Sequence, residues 1–156
     1  MGYKFQEEGR KLSQRILIVD DNHALALAAK LVLEKNGYNV MVAYDGLEGL
    51  ETAHKEKPDL ILLDINMPTL NGYQVCRKLK SEPDFASIPV IILSVKGEID
   101  ESKNAPVIGL DEVNEAYDCG ANNFLTKPVS ADELITTIKN ELLFCAHLND
   151  NIEAKL

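Results

Sequence analysis

Five polar residues fall at or just beyond the ends of short apolar runs, where their side chains could act together. They are Asp20, Asp21, Asp64, Ser94 and Lys127. A short unbroken apolar run is typical of a strand that is buried on both faces in a parallel sheet. An aspartate after such a strand often only caps a turn. Polar residues that follow four separate strands, however, would meet at the edge where open α/β sheets bind ligands, and this convergence favours a functional site.

The residue types in this set suit a cation and a phosphoryl group. Carboxylates within a few ångströms of one another repel each other. Either a nearby cation neutralises them, or the pKa of at least one carboxyl group rises. Oxygen ligands without His or Cys favour Mg²⁺, for which Mn²⁺ is the expected substitute. The Lys127 ammonium and the Ser94 hydroxyl would hold phosphoryl oxygens. One carboxylate can be the nucleophile that forms an aspartyl phosphate. Asp64 is the candidate, because it stands alone at the tip of the central strand while Asp20 and Asp21 are paired.

The elements that must position these residues alternate along the chain. Strands are predicted at 14–20, 38–43, 59–63, 89–94 and 122–125, and helices at 23–36, 46–55, from 71, at 111–119 and from 131. This order predicts an α/β fold of the (βα)5 doubly wound type, a five-stranded parallel sheet with helices on both faces in three α/β/α layers. Right-handed crossovers bring every carboxyl end of a strand to one edge. The inner face of the first helix is expected to carry Leu27 and Leu31.

Length, charge and cysteine content exclude several classes of protein. A chain of 156 residues predicts one domain at 15–146, with an N-terminal extension at 1–14 and a C-terminal tail at 147–156. The net charge of −9, with no basic patch, argues against direct binding of nucleic acid. No apolar run approaches membrane-spanning length and the N-terminus is not a secretory signal, so a cytoplasmic location is expected. The three scattered cysteines predict neither a disulfide framework nor a zinc site, and they are interpreted as reduced thiols.

Four segments in order closely resemble the receiver domain of bacterial two-component response regulators, the CheY-like superfamily. The resemblance covers about residues 14–146. Its matching pieces are Ile16–Asp21, Asp59–Pro68 followed by Asn71-Gly72, Pro89–Ser94 and Gly120–Pro128. The resemblance implies a sheet of strand order 2-1-3-4-5.

The resemblance also implies a role for each site residue. Asp64 accepts a phosphoryl group from a phosphohistidine on a sensor histidine kinase or a histidine phosphotransfer protein. The implied metal ligands are the side chains of Asp21 and Asp64 and the backbone carbonyl of Asn66. Asp20 would contribute through a water molecule.

The remaining residues of the resemblance concern the response to phosphorylation. Ser94 and Lys127 hold the phosphoryl oxygens. Ser94 then shifts inward, and Phe124 turns from solvent toward the space that Ser94 vacates. The Lys127–Pro128 bond is expected to be cis, a state that is accessible before proline.

The expected output is a protein contact. We interpret the chain as a stand-alone receiver that passes phosphate onward in a relay or acts on a downstream protein. That protein would bind the face formed by the fourth helix, fifth strand and fifth helix, and a phosphorylation-dependent homodimer is an alternative use of the domain. The chain would assist its own phosphorylation without being a classical enzyme. The closest rival is a pseudo-receiver that binds partners without phosphate. A phosphatase of the haloacid-dehalogenase kind and a dinucleotide-binding module both lack their motifs here.

The segment 96–110 is longer than usual for this family by roughly ten residues. Its composition is that of a loop. Because it directly follows Ser94, the hypothesis is that it shields the acyl phosphate or reshapes the partner surface. A neutral insertion is about as plausible from the sequence.

Overall fold

The computed structural model describes residues 13–95 and 110–153. Strands and helices alternate in the order β1 Arg15–Val19, α1 His23–Lys35, β2 Asn39–Ala43, α2 Gly46–Glu56, β3 Leu60–Asp64, α3 Gly72–Lys80, β4 Val90–Val95, α4 Leu110–Asp118, β5 Asn123–Lys127 and α5 Ala131–Glu153. All neighbouring strands pair in parallel, in the order β2-β1-β3-β4-β5. The predicted (βα)5 fold and its strand order are confirmed. The N-terminal extension up to residue 12 and the long segment 96–109 lie outside the described residues.

The sheet separates two apolar layers. Side chains of β3 alternate between them, because successive residues of a strand point to opposite faces. Ile61 and Leu63 enter the layer covered by α2, α3 and α4. Leu60 and Leu62 enter the layer covered by α1 and α5. All four are fully buried, so β3 is the central strand of the domain and holds its last residue, Asp64, in a fixed position.

The buried face of α1 differs from the predicted one. Leu27 and Leu31 are each 53% exposed, so their predicted inward orientation is wrong. The helix packs on the sheet through Ala26 and Leu33 instead. The sequence of α1 is apolar on almost every side, so its pattern could not identify the inner face. The small Ala26 lets the helix approach the sheet, and Leu27 and Leu31 remain exposed to solvent.

Side-chain caps set the starts of the helices. Asn22 caps α1 by accepting from the backbone N–H of Leu25, and Asn71 and Gln74 form a complete capping box at the start of α3. These caps determine where α1 and α3 begin behind the strands that carry the polar residues.

A glycine fixes the packing of α3 against the end of β3. A side chain at Gly72 would place a Cβ 2.3 Å from the carbonyl oxygen of Asp64, far closer than any real contact. The Gly72 N–H donates to the Ile65 carbonyl at 2.9 Å. The Asn71-Gly72 pair therefore brings α3 directly against the backbone of Asp64.

The last helix, α5, continues beyond residue 146, which is the predicted end of the domain. Its residues 146–151 are all exposed. Within the described residues, no helix combines the length and apolar character that a membrane span requires.

Candidate functional site

Three carboxylates meet at the carboxyl edge of the sheet. Oxygens of Asp20, Asp21 and Asp64 all lie within 4.8 Å of one another. Asp20 follows β1 directly and Asp64 is the last residue of β3, which is the neighbour of β1 in the sheet. Asp20 and Asp64 are each only 3% exposed, whereas Asp21 is exposed. The carboxylates of Asp20 and Asp64 thus form the buried part of the cluster, and that of Asp21 faces solvent.

Lys127 reaches two of these carboxylates from the end of β5. Its Nζ donates to Asp20 Oδ2 at 2.7 Å and to Asp64 Oδ1 at 3.1 Å. The other Asp20 oxygen, Oδ1, accepts from the backbone N–H of Asn22 at 2.9 Å. One ammonium therefore balances part of a site that carries three carboxyl groups.

Burial and charge act on the ionisation of this site. Burial raises the pKa of Asp64; the Lys127 charge opposes the shift, and the Asp20 charge reinforces it. Burial lowers the pKa of Lys127, but the hydrogen bond to Asp20 and the charges of Asp64 and Asp20 outweigh it, so the net pKa is raised. The positive charge of Lys127 is therefore secured, whereas the negative charge of Asp64 is costly without a further cation.

The structure places the remaining predicted residues around this cluster. Ser94 is 4% exposed on β4, beside Thr126 of β5. Phe124 is half-buried and packs against the α2–α3–α4 layer. Asn66 is exposed in the loop after β3. The Lys127–Pro128 peptide bond is cis.

An apolar groove beside the acidic cluster was not predicted from the sequence. It has a volume of about 450 Å³ and lies between α1 and the start of α5. Leu25, Ala29, Val129 and Leu134 contribute to its wall, which continues to Asp20 and Lys127. Leu25 is 49% exposed, and Leu27 and Leu31 add apolar surface along the same helix. The sequence signal was the excess of apolar residues in α1.

A second missed feature is an aromatic pair at the same end of the domain. The ring of His23, at the start of α1, stacks on Tyr44, which follows β2. The ring centroids are 3.8 Å apart and the planes differ by 15°. The contact joins the first turn of α1, next to Asp21, to the connection between β2 and α2.

Comparisons with known proteins agree on one family. The sequence matches the response regulator receiver domain over residues 16–139. The response regulator MprA of Mycobacterium ulcerans is 37% identical over 128 residues, covering 82% of this chain and 50% of that protein. The DNA-binding dual master transcriptional regulator RpaA of Synechocystis sp. is 35% identical over 125 residues, covering 80% of this chain and 47% of that protein. The chain spans about half the length of these curated relatives.

Solved structures give the same answer. A CheY-like receiver domain protein from Methanospirillum hungatei superposes with a TM-score of 0.75 at 27% identity, covering 86% of this chain and 98% of that one. A response regulator structure from Chloroflexus aurantiacus gives a TM-score of 0.72 at 30% identity, covering 84% and 98% of the two chains. Fold and acidic site together define a CheY-like receiver of the phosphoryl-transfer signalling class. The chain belongs to the response regulator receiver domain family of two-component systems.

Proposed function

We propose that Asp64 accepts a phosphoryl group from a phosphohistidine and that the resulting aspartyl phosphate changes the protein-binding surface of the domain. The observation that carries this proposal is the meeting of Asp20, Asp21, Asp64 and Lys127 at the carboxyl edge of the sheet. In the reaction, an Asp64 carboxylate oxygen forms a bond to phosphorus while the bond between phosphorus and the donor imidazole nitrogen breaks.

Asp64 suits the nucleophile better than its two neighbours. Asp20 uses both oxygens, one for the Asn22 N–H and one for Lys127. Asp21 lies at the exposed side of the cluster. The bond from Lys127 to Asp64 uses Oδ1 and leaves Oδ2 for the incoming phosphorus. The fully buried β3 and the close contact with Gly72 keep this carboxylate from moving away.

The donor set fits a hard divalent cation. Asp20, Asp21 and Asp64 supply only oxygen, and one lysine offsets only part of their charge. Asp21, Asp64 and the Asn66 backbone carbonyl, with Asp20 acting through water, would hold Mg²⁺ or Mn²⁺. When bound, the cation supplies charge neutralisation for the phosphoryl oxygens.

Lys127 and Ser94 would bind the transferred group once it is on Asp64. Lys127 already lies 3.1 Å from an Asp64 oxygen, and Ser94 lies on β4, which pairs with β3. A hydroxyl drawn toward the phosphoryl oxygens would leave space beside β5. Phe124 is half-buried on β5 and would turn into that space. This coupling is the proposed switch.

The groove between α1 and α5 is the proposed contact for the phosphodonor. Its wall reaches Asp20 and Lys127, so it lies beside the path by which a partner would present a histidine to Asp64. The exposed leucines of α1 would pack on the donor, which would be a sensor histidine kinase or a histidine phosphotransfer protein.

The output of the domain is proposed to be a protein contact in the cytoplasm. A downstream protein would bind the α4–β5–α5 face, and a second phosphorylated copy could use the same face to form a homodimer. Receiver domains are generally not classical enzymes, and the chain would promote only the formation and hydrolysis of its own acyl phosphate.

Acetyl phosphate provides a direct test. With Mg²⁺, we expect a fraction of the wild-type chain to gain the mass of one phosphoryl group, and Asp64→Asn to gain none. Removing Mg²⁺ with a chelator should slow the reaction by several orders of magnitude, because the charge of the acidic cluster then repels the donor.

The matched control is Asp84→Asn, which changes an aspartate whose side chain is 79% exposed outside the cluster. It should react as the wild type does. Equal phosphorylation of Asp64→Asn and the wild type would refute the assignment. No reaction of the wild-type chain with acetyl phosphate or with beryllofluoride would favour a pseudo-receiver that works without phosphate.

A further inference from the structure

The three cysteines of the chain gather around one lysine at the amino edge of the sheet, opposite to the acidic cluster. Lys80 donates through Nζ to the Ile88 carbonyl at 2.6 Å and to Asn122 Oδ1 at 3.0 Å. These two residues lie just before β4 and β5 begin. Cys76, Cys119 and Cys145 all interact electrostatically with this lysine. Thiols that are 43 and 26 positions apart in sequence are therefore neighbours in the fold.

Cys76 and Cys119 form a direct pair inside this group. Cys76 lies in α3, and Cys119 directly follows the last residue of α4. The Cys76 thiol donates to the Cys119 carbonyl at 3.4 Å, and the Cys119 thiol donates to the Ala116 carbonyl at 2.9 Å. The two residues are 0% and 3% exposed, respectively, and Cys145 is half-buried.

The two thiols differ in their ionisation. The neighbouring Cys76 thiol lowers the pKa of Cys119, against the opposing effect of burial. The neighbouring Cys119 thiol and burial raise the pKa of Cys76. A thiolate is the reactive form of cysteine, so Cys119 is the expected nucleophile and Cys76 the resolving thiol.

We propose that Cys76 and Cys119 are a redox-active thiol pair, which a hydroperoxide converts into an intramolecular disulfide between α3 and the end of α4. In the first step the Cys119 sulfur attacks a peroxide oxygen. The O–O bond breaks, and a sulfenic acid and one molecule of water or alcohol are formed. In the second step the Cys76 sulfur attacks the Cys119 sulfur. The S–S bond forms, the S–O bond breaks, and the hydroxyl leaves as water with the Cys76 proton. The two thiols supply the two electrons that reduce the peroxide.

The disulfide would fix α4 relative to α3. It closes a loop between positions 43 residues apart, so it reduces the conformational freedom of the unfolded chain and should raise the urea midpoint of unfolding. Because the pair lies at the edge opposite to Asp64, phosphorylation of Asp64 by acetyl phosphate should not change. The inference does not rest on the proposed function and can fail independently of it.

The test uses the full chain with the substitution Cys145→Ser, which leaves only the two paired thiols. The reduced protein is treated with hydrogen peroxide, alkylated under denaturing conditions and digested without reductant. We expect both thiols to disappear together, the intact mass to fall by two hydrogen atoms, and one cross-linked peptide to join Cys76 to Cys119. Dithiothreitol should restore both thiols. The reaction should be slow, because both sulfurs are buried and the pair must open for peroxide to enter.

Two further samples keep the test decisive. In Cys76→Ala/Cys145→Ser, peroxide should leave Cys119 as a sulfenic acid that dimedone traps, because no resolving thiol is present. The unsubstituted chain should give the same Cys76–Cys119 peptide, which guards against a folding defect in the variants. The proposal is overturned if Cys119 proceeds to sulfinic or sulfonic acid while Cys76 stays reduced. It is equally overturned if Cys145 supplies the main disulfide, or if both thiols survive peroxide that oxidises the urea-unfolded chain.

Discussion

At the scale of single residues, the loop that follows Asp64 carries a backbone conformation that its sequence does not favour. Thr69 has a φ of 72°, in the left-handed region. A β-branched side chain is rarely found there, because its Cβ substituents crowd the backbone. The loop is held by the Leu70 N–H, which donates to the Pro68 carbonyl at 2.9 Å, and by the Gly72 N–H bonded to Ile65. Thr69 therefore stores strain next to the proposed phosphoacceptor.

Replacing Thr69 with glycine should relieve this strain. We expect Thr69→Gly to raise the free energy of unfolding by roughly 0.5–1 kcal/mol, since glycine adopts positive φ without a steric cost but loses more entropy on folding. Urea unfolding at 25 °C measures the change. Thr69→Ala is the control, and it should gain less because alanine keeps a Cβ. A glycine variant that is less stable than the wild type would show that the threonine side chain makes compensating contacts.

The meeting of these polar residues was predictable, because Asp20, Asp64 and Lys127 lie at the ends of three different strands. The order of strands and helices was enough to bring Asp20, Asp64 and Lys127 to one edge. The sequence could not predict which carboxylate oxygens accept hydrogen bonds from Lys127. That choice depends on side-chain packing and on the hydrogen bond from the Asn22 N–H to Asp20.

At the scale of elements, α2 is joined to the segment after α3 by a histidine. His54 Nδ1 lies 2.7 Å from the Leu50 carbonyl, and Nε2 lies 2.7 Å from Glu82 Oε2. Its ring also meets the edge of Phe85 at 4.9 Å. A neutral imidazole carries one N–H and can donate to only one of these acceptors, whereas the protonated ring donates to both.

This contact predicts a dependence of stability on pH. The hydrogen bonds to Leu50 and Glu82 raise the pKa of His54 above its ordinary value of 6.5. The stabilisation is therefore fully present below about pH 6.5 and is lost as the pH rises through the higher pKa of the folded state. We expect Glu82→Gln to cost roughly 0.3–0.5 kcal/mol at low pH, since the pair is exposed to solvent, and less at pH 8.

Urea unfolding of the wild type and of Glu82→Gln, each at pH 6 and pH 8, measures this difference. Glu48→Gln would be a poor control, because Glu48 accepts from the Tyr44 N–H at the start of α2. Glu34→Gln is better, since Glu34 lies on α1 and pairs only weakly, at 3.8 Å, with Lys30. A Glu82→Gln cost that is equal at both pH values would contradict the role of His54.

The predictability of elements depended on how clearly each pattern distinguished its faces. In α3, Val75 and Leu79 lie four positions apart, one helical turn, and both are buried. In α1 almost every side is apolar, so the prediction of Leu27 and Leu31 as inner residues failed. The excess of apolar residues in α1 was still informative. A helix with more apolar residues than its buried face can hold must expose some of them.

At the scale of the whole molecule, the exposed apolar residues of α1 and α2 allow a matched test of the donor surface. Leu25 and Leu47 both lie in the first turn of a helix, and they are 49% and 52% exposed. Leu25 lines the groove beside Asp20, whereas α2 lies on the opposite face of the sheet. A glutamate should be tolerated equally at both positions, since it is favourable near a helix N-terminus.

We expect Leu25→Glu to slow phosphotransfer from a protein donor by about tenfold, the equivalent of 1.4 kcal/mol, and Leu47→Glu to leave it unchanged. The probe is a purified histidine phosphotransfer protein that phosphorylates the wild-type chain. Acetyl phosphate should react equally with all three chains, because a small donor needs no groove. If Leu25→Glu and Leu47→Glu slow phosphotransfer from the protein donor equally, the groove is not part of the docking surface.

The alternation of β3 between two apolar layers also bears on the order of events in signalling. Asp64 ends a strand whose side chains support both faces of the domain, because Leu63 belongs to one apolar layer and Leu62 to the other. A donor seated over α1 leaves α3 and α4 uncovered on the far side of the sheet. A partner that recognises only those helices could therefore bind before the donor departs, whereas a partner on the whole α4–β5–α5 face would meet the donor at the start of α5.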